Sequence, residues 1–166
     1  EDVEMRKILL ASLVICMLAL LSTLSISVHA TPPTSAWGTW TYILKPGYPV
    51  VTKVADGNTF KYGEESGTWT GTFEGTSDDA FTLVMHPEGF VTCEGRIHFT
   101  GSVNDASGEL FILFVGKRTW SPPGPWSGQW VIISGTGYLA NLHGQGTWSG
   151  PPFNLAYSGQ IHFDPA

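Results

Sequence analysis

The chain has 166 residues, eight of them basic and fourteen acidic, for a formal net charge of −6. That acidic balance excludes nucleic acid and anionic membrane surfaces as partners, since both are held by basic stripes. Two cysteines are too few for a disulfide-stapled scaffold, and the length suits one domain with its own core.

Residues 1–30 read as a secretory signal helix that precedes the fold. Met5 is the expected start. Arg6 and Lys7 follow it, then the apolar run from Ile8 to Val28, and Val28-His29-Ala30 offers a small-x-small cleavage site before Thr31. The alternative is a retained membrane anchor, because the run reaches the roughly 20 residues that a spanning helix needs. Cleavage would leave a chain with six basic and eleven acidic residues, free of the membrane and located outside the cell or in the periplasm. Its one cysteine, Cys93, could form no internal disulfide. Residues 31–36 are then a linker and 37–166 a single domain.

From Trp37 onward every local signal is β. Short alternating runs near 37–44, 49–54, 67–74, 80–86, 90–102, 109–116, 126–134 and 142–163 predict about eight strands, the last split around Pro151-Pro152. Turn clusters separate them: Asp56-Gly57-Asn58, Thr76-Ser77-Asp78-Asp79, Pro87-Glu88-Gly89 and Asn104 to Gly108. So many short strands at even spacing predict an all-β fold, a sandwich or a barrel. Between Ser134 and Gly146, glycines at 135, 137, 144 and 146 predict a strand bent at a barrel corner, where backbones approach closely. Gly135, Gly137, Gly144 and Gly146 are therefore structural turn residues.

Period-two counting separates an apolar face from a polar one. Trp69 and Phe73 share a face, as do Phe81, Leu83 and Met85; Cys93, Ile97 and Phe99; and Leu155, Tyr157, Ile161 and Phe163. Leu110 to Val115 is apolar on both faces, so its outer residues Phe111, Leu113 and Val115 need cover, which predicts a homo-oligomer. His86, His98, His143 and His162 fall on polar faces, and no His-x-His or Cys-x-x-Cys spacing suggests a metal site. No cofactor motif, nucleophile elbow or pair of strand carboxylates is visible.

Three segments carry a family resemblance. Thr72-Phe73-Glu74-Gly75, the hairpin from Phe99 through Gly101 and Ser107-Gly108 to Phe111, and the run from Ser134 to Gly146 occur in that order. Together they resemble an uncharacterised bacterial domain-of-unknown-function family grouped with the allene oxide cyclase and dirigent type of β-barrel. The resemblance implies a single antiparallel barrel of that type. It implies no catalytic residue, since no counterpart of the cyclase's glutamate is evident.

Seven tryptophans are many for such a chain. On the inner face they would bind a small apolar or aromatic ligand, with Trp69, Phe73, Trp130 and Tyr157 as candidate contacts. Trp120 and Trp126 flank the rigid Ser121-Pro122-Pro123-Gly124-Pro125 loop and could form a stacking platform. The leading expectation is thus a secreted, non-catalytic binding barrel. The alternatives are an isomerase, cyclase or lyase working in the lumen, and a structural or adhesive surface protein using the Trp/Pro loop. A lumen lined by a buried Glu or His would favour the enzyme.

Overall fold

The computed structural model describes residues 31–165, and the expected signal segment with its cleavage site lies outside them. Nine strands follow in chain order: β1 (Thr34–Leu44), β2 (Val50–Ala55), β3 (Asn58–Gly71), β4 (Phe73–Met85), β5 (Phe90–Val103), β6 (Ala106–Thr119), β7 (Trp126–Gly135), β8 (Leu142–Gly150) and β9 (Asn154–Phe163). From β3 to β9 each strand pairs antiparallel with the next, and β1 closes the ring by pairing with β9 on one side and β3 on the other. Eight strands, β1 and β3 to β9, form a closed antiparallel barrel. Residues 65–71 of β3 pair with β1, while residues 58–62 extend beyond it and carry β2 as a short flap.

Several boundaries differ from the alternation in the sequence. Residues 67–74 are not one strand: the chain reverses at Gly71, whose φ of +101° an L side chain rarely adopts, so Trp69 and Phe73 lie on neighbouring strands. Thr76 to Asp79 is no turn. It lies inside β4, with Ser77 and Asp79 buried and Thr76 and Asp78 exposed, so its polar character comes from an unusual inward face. β1 begins at Thr34 because β9 runs far enough to pair with residues 34–36.

The lower end of the barrel is closed. A 3₁₀ turn, Gly137–Leu139, links β7 to β8 and drives Leu139 into the core, where it is fully buried close to Gly108 and Gly135. Gly137 has φ +61°, and a Cβ on Gly135 would lie 2.2 Å from the Leu139 carbonyl oxygen, so these glycines let the turn fold back beneath the barrel. Higher up, large rings lie on glycine pairs. Gly146 and Gly159 oppose each other across β8 and β9, and a Cβ on either would come within 2.7 Å of the Trp130 indole. Inward glycines thus make room for inward tryptophans, which is how eight strands hold so much aromatic volume.

On the outside, Phe111, Leu113 and Val115 of β6 are exposed beside Val131 and Ile133 of β7. The inner residues Leu110, Ile112 and Phe114 of β6 are buried.

Candidate functional site

The upper end of the barrel is not filled. A cavity of about 320 Å³ opens there, walled by Trp40 and Tyr42 of β1, Phe81 of β4, Phe114 of β6, Trp126 of β7 and Trp148 of β8. The Trp/Pro loop forms part of its rim through Trp120 and Pro123. That loop is folded down: Gly124 N–H donates to the Thr119 carbonyl at 3.0 Å, and Trp120 N–H donates to the Gly89 carbonyl at 3.0 Å.

The polar lining is sparse, and Glu65 is its centre. Counting back from the buried Trp69, alternate residues of β3 face the lumen, which places Gly67, Glu65, Gly63 and Lys61 inward. Glu65 is only 4% exposed and lines the cavity. Its direct partner across the β3–β4 ladder is Asp79, 2% exposed, so two carboxyl groups share one inward stretch of wall. Directly opposed residues on one face have Cβ atoms roughly 5 Å apart. Asp79 Oδ2 accepts a hydrogen bond from Ser77 Oγ at 3.1 Å, and Ser77 Oγ accepts one from Trp69 Nε1 at 2.9 Å. Asp79 Oδ1 is buried with no partner among the described residues.

This environment disfavours the charged forms. Burial, reinforced by the charge on Asp79, pushes the Glu65 carboxyl up from its ordinary 4.5 to about 8. Burial likewise raises Asp79 to about 7, against the opposing hydrogen bond from Ser77. Glu65 therefore keeps its proton at neutral pH and presents a carboxylic O–H donor to the cavity. Cys93 also lines the wall, and burial pushes its thiol up to about 12, which leaves it protonated and inert as a nucleophile. Near the rim, the Arg118 guanidinium lies 5.0 Å from the centre of the Trp126 ring.

The expected ligand contacts separate into two groups. Trp69, Phe73, Trp130 and Tyr157 are brought together, but below the cavity, where they fill the barrel. Phe73 lies 5.9 Å from Trp69, 5.8 Å from Trp130 and 5.3 Å from Tyr157, ring centre to ring centre. The Tyr157 hydroxyl accepts from Phe73 N–H at 2.9 Å and donates to the Thr70 carbonyl at 3.1 Å, tying β9 to the β3–β4 turn. Trp120 and Trp126 do line the cavity: Trp126 is buried against Trp148, and Trp120 is half-exposed at the rim. Sequence reasoning missed Glu65 and Asp79 and found no paired strand carboxylates. The pair is legible only if the inward phase of Trp69 is carried back through Gly67 to Glu65.

Among the described residues, no histidine lines the cavity. His98 lies 3.4 Å from Glu109, and His143 and His162 reach the two oxygens of Asp164 at 3.1 and 3.4 Å.

The sequence profile of a protein family described as a protein of unknown function (DUF3224) matches residues 37–152. A crystal structure of a protein with unknown function from the DUF3224 family, from Shewanella oneidensis, is similar at 20% identity. The likeness covers 81% of this chain and 100% of that one, with a TM-score of 0.66, and bears on the fold. An enzyme from Penicillium herquei is similar at 17% identity over 81% of this chain and 99% of that one, with a TM-score of 0.44. No curated protein matches the chain.

Proposed function

The chain belongs to the DUF3224 family, whose function is unknown, and we propose that it binds a small, mainly apolar or aromatic ligand in the mouth of its barrel. One observation carries this reading: a cavity of about 320 Å³, walled by aromatic rings, with a single buried carboxyl reaching it. Pockets for small molecules have this makeup, an apolar wall with a few placed polar groups. Native mass spectrometry of the protein isolated from its producing organism should retain a ligand-sized extra mass. Leu83→Trp, which fills the mouth, should lose that mass, while Phe73→Leu in the packed lower half should keep it. A clean wild-type mass would overturn the reading.

Glu65 favours a second reading, in which the same cavity performs acid–base chemistry on its ligand, as an isomerase, cyclase or lyase. A carboxyl protonated at neutral pH in a mainly apolar pocket can donate to a ligand carbonyl oxygen and take the proton back. Glu65→Gln should then keep the bound mass but release the ligand unconverted. Conversion at the wild-type rate by that variant would leave binding alone as the function.

We further propose that the barrel is exported as a mature chain and self-associates through Phe111, Leu113 and Val115. Their exposure on a barrel wall, where polar residues normally meet water, supports the second part.

A further inference from the structure

The chain is acidic, yet two of the six cations in residues 31–166, Lys61 and Arg118, converge on the rim of one aromatic cavity. Among the described residues neither forms an ion pair, in contrast to Lys45, which lies 3.6 Å from Glu64 and 3.0 Å from Asp78. The Arg118 Nε is buried with no hydrogen-bond partner among the described residues, although its guanidinium is held against Trp126. A buried guanidinium donor without an acceptor is costly unless something supplies one. A carboxylate matches it best, because its two oxygens fit the planar fork.

The far end of the cavity has the opposite character. Glu65 is buried there and, holding its proton, offers a donor rather than a charge. Glu65, Tyr42 and Arg118 all line this one cavity, so a single ligand can contact each of them. Anion at the rim, flat apolar body between the rings and acceptor toward the floor together describe one ligand class.

Resting on the reading of this cavity as a ligand site, we propose that it takes a small aromatic or alicyclic carboxylic acid bound as its anion. The carboxylate engages Arg118, with Lys61 supplying further positive potential, and a carbonyl, hydroxyl or ring heteroatom at the other end meets the Glu65 O–H. The stack of Arg118 on Trp126 fixes the guanidinium in advance, so little side-chain freedom is lost on binding.

Calorimetry with matched probes tests this. 4-Hydroxycinnamate, 6-hydroxy-2-naphthoate and 5-hydroxyindole-3-acetate, each compared with its methyl ester at pH 6.5, share shape and differ in charge. The acid of at least one pair should bind about tenfold or more tighter than its ester, the worth of one charge-assisted hydrogen bond. Arg118→Gln should abolish that preference, bringing acid and ester to the same affinity. Arg118→Lys should restore most of it, which separates lost charge from lost packing. Equal affinity for acid and ester, or a preference that survives Arg118→Gln, would overturn the ligand class while leaving the cavity a binding site. Binding of neither acids nor esters would overturn the site itself.

Discussion

Replacing Glu65 by glutamine removes an ionisable group while preserving nearly the same shape. Its effect should depend on pH in one direction only. Between pH 4.5 and about 8 the Glu65 carboxyl is ionised in the unfolded chain but protonated in the barrel, so the folded state binds the extra proton. Folding stability therefore falls as pH rises through this window and levels off above it. A rise from 4.5 to about 8, at 1.36 kcal/mol per pKa unit, makes the loss from Glu65 about 5 kcal/mol by pH 9. Asp79, raised from 3.8 to about 7, acts with the same sign and persists in the variant. Two other titratable groups facing the cavity, Cys93 and Tyr42, intrude little, because burial raises both beyond the window. Urea unfolding of both proteins from pH 5 to pH 9 reads the difference. The two should be of similar stability at pH 5, and the variant should be the more stable by a margin that grows toward about 5 kcal/mol at pH 9. Parallel profiles across this range would refute the argument that Glu65 is held neutral in the fold.

The remaining predictions concern packing, assembly and processing. Gly146→Ala places a Cβ 2.0 Å from the Ser158 carbonyl oxygen and 2.7 Å from Trp130, so thermal unfolding should show a loss of about 1–3 kcal/mol. Leu113→Glu should abolish self-association in sedimentation equilibrium, and a wild-type protein that stays monomeric over a wide concentration range would remove the proposed interface. Protein collected from the culture medium or periplasm should have the intact mass of a chain starting at Thr31. A mass that retains the apolar run up to Val28 would indicate an anchor instead.

Much of the architecture can be read along the chain because a barrel wall is written in period two. Cys93, Ile97 and Phe99 on β5, and Leu155, Tyr157 and Ile161 on β9, alternate with polar residues in the sequence and face inward in the structure. The doubly apolar run in β6 likewise exposes Phe111, Leu113 and Val115 as its composition requires. Within the glycine run, Gly135 and Gly137 form the folded-back end of the barrel, whereas Gly144 and Gly146 are not turn residues but lie inside β8, where the missing Cβ makes room for Ile161 and the Trp130 ring.

The site was hidden by the same rule. Lys61-Tyr62-Gly63-Glu64-Glu65-Ser66-Gly67 looks polar throughout and Thr76 to Asp79 looks like a turn, because their inward positions hold glycine, serine and carboxylates instead of apolar side chains. Alternation cannot tell an inward acid from an outward one; that depends on the phase set by Trp69 and on the β3–β4 register that brings Glu65 opposite Asp79. Nor does composition say which tryptophans pack and which line space. Trp69 and Trp130 pack around Phe73 and fill the barrel, and Trp126 and Trp148 line the open cavity. Strand identity and inward pattern are local, carried by residues two apart. The pairing of two acids and the position of the empty half depend on how eight strands close on one another, which is a property of the whole ring.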